Sequence, residues 1–334
     1  MNHLKEIQHE LMCCTGCGYC KKSCPVFDIW GTEADSGKGK VFLSYGLMMG
    51  EVKEDISVIE ALQKCTLCGR CEKECPSLVK ISDIIHSARK DLKGMLPAHE
   101  KLLNDIDEQG NPFGKDRMKV FGGGEGEIAY FSGCMANGLK DAVFSVFDKL
   151  GINVTTIDEE CCGNPIDIIG RENRQIEKLG KKFGERDVKK IVFSCPSCMQ
   201  SFLPLKEKFE LIHISEFLMD KNINLKDFGM KLIYHDSSIL GRKLDIYDAP
   251  RKLLEKAGSL VEFDENKELS HCCGSDLAFR MAFPLAAGKM AEKIIGEARE
   301  KDAVVVTSSP HCYHHLKKHG DVIDIIEVVD RCLQ

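Results

Sequence analysis

The chain has 334 residues, 43% hydrophobic and 29% charged, with a formal net charge of −6. That length exceeds one ordinary core and calls for two or three domains. With no basic block and no interleaving of basic and aromatic residues, nucleic acid is a poor partner, and no run of roughly eighteen apolar residues is present to cross a membrane.

The first residues, Met1-Asn2-His3-Leu4-Lys5-Glu6, lack the apolar core of a secretory signal, so a cytoplasmic protein is expected, docking at a membrane only through a partner. Eighteen cysteines in such a chain read as reduced thiols bound to metal rather than as a disulfide framework.

Cys14, Cys17, Cys20 and Cys24-Pro25 follow a C-x2-C-x2-C-x3-C-P spacing, and Cys65, Cys68, Cys71 and Cys75-Pro76 repeat it without error. In that pattern three thiolates of a run hold one 4Fe-4S cubane and the fourth reaches across to the other. The expected ligand sets are Cys14, Cys17, Cys20 and Cys75 for one cluster, and Cys65, Cys68, Cys71 and Cys24 for the second. A pair of zinc knuckles is the competing reading, but it gives the fourth cysteine and its proline no task. Cys13 falls outside the register and reads as a spare thiol.

Ser36 to Lys40 lacks Walker spacing and reads as a turn before a helix around Val41 to Met49. Ile81, Ile84, Ile85, Ala88 and Leu92 recur at helical spacing and stop at Gly94. Residues 1–94 are thus expected to form a mostly helical two-cluster domain. Residues 95–126, with Pro97, Asn111-Pro112 and Gly122-Gly123-Gly124, read as a linker.

Beyond it the chain repeats itself. Tyr130-Phe131-Ser132-Gly133-Cys134 aligns with Tyr234-His235-Asp236-Ser237-Ser238. Cys161-Cys162-Gly163 aligns with Cys272-Cys273-Gly274, and Cys195-Pro196-Ser197-Cys198 with Ser309-Pro310-His311-Cys312. Each copy, 127–227 and 228–334, alternates short apolar strands with helices: Ile128 to Phe131, Asn153 to Ile157 and Ile191 to Phe193, then Leu232 to His235, Leu260 to Phe263 and Ala303 to Val306. This predicts small parallel sheets whose carboxyl ends gather the cysteines. The class is α+β and multi-domain. The tail Asp321 to Leu333 reads as a helix, either core or a docking surface.

Five thiols, Cys134, Cys161, Cys162, Cys195 and Cys198, are too many for one tetrahedral zinc and suit an enlarged iron-sulfur site, with a zinc taking four of them as the alternative. The second copy has Ser238 and Ser309 where cysteines are wanted, and a serine oxygen is a hard, poor ligand for iron. Cys272, Cys273 and Cys312 remain, amid His235, His271, His311, His314, His315 and His319. One imidazole, His235 for instance, added to three thiolates makes a tetrahedral zinc or a simple cluster site; a metal-free relic is the other reading. Cys332 has no counterpart.

A two-cluster ferredoxin module followed by two Cys-Cys-Gly (CCG) domains resembles the D subunit of heterodisulfide reductase. The same layout marks the iron-sulfur subunits of glycerol-3-phosphate and glycolate or lactate dehydrogenases. The resemblance implies a noncubane 4Fe-4S cluster on Cys134, Cys161, Cys162, Cys195 and Cys198. Cys161 and Cys162 would stand at the reacting centre, with two cubanes feeding it electrons. It implies an oxidoreductase subunit that cleaves a disulfide of the CoM-S-S-CoB type or a similar sulfur substrate. Its partners would be other redox subunits: a flavoprotein, heterodisulfide reductase-type subunits or a membrane cytochrome. Two alternatives stand beside it, the electron outlet of a flavin-dependent 2-hydroxyacid or glycerol-3-phosphate dehydrogenase, and a non-catalytic relay. No dinucleotide fingerprint occurs, so a flavin would belong to a partner.

Overall fold

The computed structural model describes residues 1–113, 124–135 and 138–334. A helical amino-terminal part precedes two small parallel sheets, so the architecture is the α+β one expected.

The amino-terminal helices close over a core of Leu4, Val41, Leu62, Ile84, Ile85 and Ala88, each 1% exposed or less. The helix Gly37–Met49 starts four residues before Val41, because Ser36 accepts the Gly39 N–H and caps it. Ile81–Asp91 lays its apolar face on the same core. In each cysteine run a left-handed residue turns the loop before a short helix: Gly18 precedes Tyr19–Lys22 and Gly69 precedes Arg70–Lys73. At the centre of each loop Gly16 has φ +70° and its counterpart Leu67 φ +50°. A leucine there is strained by roughly 1 kcal/mol or more, and its side chain offsets this by packing against both Ile84's core and the core around Cys161.

The stretch read as linker holds a helix, Pro97–Gln109, opened by Pro97 and closed by left-handed Gly110. Leu102 and Ile106 bury its inner face against Ile169 and Leu277. Gly122 and Gly123 lie outside the described residues.

Among the described residues seven short strands form the sheets: β1 Ile128–Phe131, β2 Lys190–Phe193, β3 Glu210–His213, β4 Leu232–His235, β5 Leu260–Val261, β6 Val304–Thr307 and β7 Val322–Asp324. The first sheet runs β1-β2-β3 and the second β5-β4-β6-β7, all parallel. Asn153 to Ile157 makes only a single bridge, Thr155 to Ala129, and so is not a full strand. Leu260 to Phe263 shortens to two residues. The tail is not one helix: β7 comes first, then Ile325–Cys332, whose Ile325, Ile326, Val328 and Val329 are buried. That helix packs on Lys140–Lys149 of the first copy and Asp248–Ala257 of the second, which makes it core and removes the docking role. Tyr130 and Val192 share one apolar cluster with Tyr234 and Val306.

Candidate functional site

The fold brings Cys14, Cys17, Cys20 and Cys75 around one cavity, and Cys24, Cys65, Cys68 and Cys71 around another. Ile81 lines both, so the two lie back to back. Cys17 is exposed, and Tyr19, Phe42 and Leu78 beside that cavity are 61%, 48% and 74% exposed. The second cavity is interior. Burial pushes the Cys24 thiol up to about 12 and raises Cys65 and Cys71 as well. Thiols so disfavoured as free anions fit a site in which cationic iron draws them into thiolate form.

Two buried cations stand beside that set. Lys40, 1% exposed, donates to the Ala34 and Asp35 carbonyls at 3.1 and 2.6 Å. Burial lowers its pKa, and Cys65 and Cys24 pull it back up. Arg89, 1% exposed, donates to the carbonyls of Leu62, Cys65 and, at 2.8 Å, Ile168. It thereby ties the second cysteine run to the first CCG domain.

In the first copy the thiols form a chain of contacts: Cys134 to Cys161, Cys161 to Cys162, Cys162 to Cys198, and Cys198 to Cys195. Cys134 follows β1, Cys195 follows β2, and Cys198 sits one turn into Pro196–Phe202. Glu159, 5% exposed, shapes the loop before Cys134 by accepting the Ser132 N–H, the Ser132 hydroxyl and the Gly133 N–H, each at 2.8 Å. Gly163 has φ +74°, and a Cβ there would strike the Asn173 side chain, which donates to the Cys162 carbonyl at 2.9 Å. The Gly163 N–H donates to Cys161 Sγ at 3.4 Å. The third position of the Cys-Cys-Gly run therefore tolerates only glycine.

The copies reach into one another. His311 hydrogen-bonds Cys195 across the interface; burial opposes its charge, but Cys195 outweighs this and holds the imidazole up at about 9. Cys195 is drawn down to about 5, first by Cys198 and then by His311. His314 donates to the Met135 carbonyl at 2.7 Å. Sequence reasoning places His311 in the second copy; only the packing of the two sheets sends it to the first.

The second copy differs from its predicted ligand set. Cys273, Cys312 and His235 lie with their ligand atoms within 4.8 Å of one another. Cys272 does not join them: its thiol hydrogen-bonds Cys68 and lies 3.6 Å from Thr66 Oγ1. Ser238 accepts from Arg242 at 2.7 Å, and Arg242 also donates to the Cys68 carbonyl at 2.6 Å. His271 is held by Arg70 and Glu265, His315 by the Ala287 carbonyl, and His319 meets the His315 ring edge-to-face. Cys13 faces His9, and Cys332 is core.

A cavity of about 120 Å³ separates the copies, lined by Cys272, Cys273, Cys312, His311, Ser309 and Ser197. Thr66 and Ser82 line both it and the Cys24 cavity. The order from the surface is thus the Cys14 set, the Cys24 set, then the space between the copies.

The family comparison agrees with this layout. Residues 10–79 match the 4Fe-4S dicluster domain, and residues 128–202 and 232–317 match the cysteine-rich domain. The protein is an iron-sulfur oxidoreductase component in the CCG-domain class. It belongs to the family of iron-sulfur subunits that join these domains, and is related to the D subunit of heterodisulfide reductase. It is 29% identical to the D subunit of dihydromethanophenazine:CoB-CoM heterodisulfide reductase from Methanosarcina barkeri, over 97% of this chain and 94% of that one. It is 28% identical to the B subunit of fumarate reductase (CoM/CoB) from Methanothermobacter marburgensis, over 96% of this chain and 72% of that one. It is 23% identical to the probable glycolate oxidase iron-sulfur subunit of Bacillus subtilis, over 92% and 88%. Among the described residues no helix is long and apolar enough to cross a membrane.

Proposed function

We propose that this chain is the electron-delivering subunit of a heterodisulfide reductase-like complex, with its sulfur substrate held between the two CCG domains. The five thiols linked from Cys134 to Cys195, which adjoin that cavity through Ser197 and the Cys195 partner His311, carry the reading. Cys14, Cys17, Cys20 and Cys75 would hold one cubane, Cys24, Cys65, Cys68 and Cys71 the other, and Cys134, Cys161, Cys162, Cys195 and Cys198 the noncubane cluster. When bound, these clusters supply one-electron storage and iron open to a sulfur ligand.

The chain's own residues would set the conditions. The exposed apolar rim around Cys17 offers a redox partner its approach. Lys40 and Arg89 lend positive charge to the interior set, which favours its reduced form. His311 sets a cation against Cys195 at the edge of the cavity. The second copy, with Ser238 engaged by Arg242, does not supply a matching five-thiol set.

The test is anaerobic iron and sulfide analysis with EPR, followed by disulfide reduction from a reduced viologen. The reading expects about twelve irons per chain, and a Cys162→Ser protein that keeps its cubane signals but loses turnover. Unchanged turnover in that variant would refute it. The glycolate oxidase relative supports a second reading, in which the substrate sits on a flavoprotein partner. Copurification with a flavoprotein and activity on glycolate would favour it.

A further inference from the structure

We infer that the second CCG domain holds a single zinc ion on His235, Cys273 and Cys312, with its fourth position open to the cavity between the copies for a small thiol. The zinc assignment stands on geometry alone; the thiol rests on the substrate reading above.

Three buried donors converge there. His235 is 2%, Cys273 3% and Cys312 4% exposed. Cys273 Sγ and Cys312 Sγ stand 3.3 Å apart, beyond any S–S bond. Bond lengths of about 2.3 Å to sulfur and 2.0–2.1 Å to nitrogen put the edges of a zinc tetrahedron at roughly 3.5 to 3.8 Å. The three ligand atoms, all within 4.8 Å of one another, need only a small adjustment to reach that. His235 Nε2 is buried without a conventional hydrogen-bond partner, and the ring meets the Cys312 thiol, which leaves a buried polar atom for a metal to satisfy. The Phe263 ring, edge-on at 6.3 Å between centroids, fixes the imidazole plane.

The donor count excludes the larger alternatives. Cys272 is turned to Cys68, and Ser238 is held by Arg242. Two thiolates and one imidazole are too few for a cubane and fall well short of the five-thiol set of the first copy. They do match a zinc site that keeps one position for an exogenous ligand. Cys273 and Cys312 both line the cavity, so that position faces it. Zinc already bound by two thiolates accepts a third sulfur readily. The step is an exchange without redox change: a thiol R–SH replaces a zinc-bound water, the S–H proton leaves to solvent, and the water departs.

Metal analysis of the full-length, anaerobically isolated protein tests this. About one zinc per chain is expected beside the iron, falling to near none in Cys312→Ser and His235→Ala while iron content stays unchanged. Retained iron shows that those variants fold. Cobalt substituted at the site should give four-coordinate d–d bands and thiolate-to-cobalt charge transfer, and 2-mercaptoethanol should shift the d–d bands. Absence of zinc, its loss in Cys162→Ser instead, or Cys273 and Cys312 found as a disulfide would overturn the site. Zinc whose cobalt bands ignore the thiol would overturn the open position. Disulfide turnover is measured separately, so failure of the substrate reading is distinguishable from failure of the zinc site.

Discussion

The Cys272 and Cys68 thiols share a hydrogen bond, so the second cysteine doublet touches a thiol of the interior ferredoxin cavity rather than completing its own set. A hydrogen bond to a cluster sulfur stabilises the more negative, reduced state. Cys272→Ala should therefore leave iron content unchanged and lower one cubane potential by roughly 40 mV, taking the bond at about 1 kcal/mol. Redox titration followed by EPR reads this; an unmoved potential, or loss of four irons, would show that Cys272 plays another part.

Lys40 offers a larger handle on the same cavity. For a unit charge at a separation of roughly 8 Å and an effective dielectric of 20, Coulomb's law gives on the order of 2 kcal/mol, or roughly 90 mV. Lys40→Met should lower the potential of the Cys24 set by about that much and spare the Cys14 set. Equal shifts in both would mean a general loosening instead.

Gly163→Ala should damage the first CCG domain selectively. The left-handed backbone costs a side chain about 1–2 kcal/mol, and the new methyl would displace Asn173 from the Cys162 carbonyl. Iron should fall from about twelve to about eight per chain with the cubane signals intact. Full iron loading would count against the ligand role proposed for Cys161 and Cys162.

His99 supplies a pH signature away from the cysteines. It is fully buried, its Nε2 donates to the Ala278 carbonyl at 3.2 Å, and burial brings its pKa down to about 4. The folded state prefers the neutral ring, so its contribution is complete above about pH 6.5 and is lost as pH falls toward 4, on the order of 3 kcal/mol in all. Thermal melts of wild type and His99→Leu should converge between pH 7.5 and 5. A gap that stays constant would show that His99 does not titrate with unfolding.

Much of this architecture is written in spacing. The two cysteine runs announce a helical two-cluster module, because short loops of fixed length can surround a cube of metal and sulfide in few ways. The repeat in the second half is visible from Tyr130 and Tyr234 onward, and both tyrosines are hydrogen-bonded to matching serines, Ser194 and Ser308. What spacing hides is short or directional. β3, Glu210–His213, has only Leu211 and Ile212 as apolar residues between a carboxylate and an imidazole, and β7 has three residues in all, so neither stands out as an apolar run. Asn153 to Ile157 is rich in β-branched residues but meets β1 at one residue only. The directions of Cys272, His311 and Ser238 are set by residues far along the chain or on the facing copy, and no local pattern encodes them.

The common apolar cluster under Tyr130 and Tyr234 has one further result. Splitting the gene near residue 228 would leave each fragment with half a core open to water, so the duplicated parts are no longer separable modules despite their shared pattern. Heat should melt them in one calorimetric step, and complementation by two separately expressed pieces should fail.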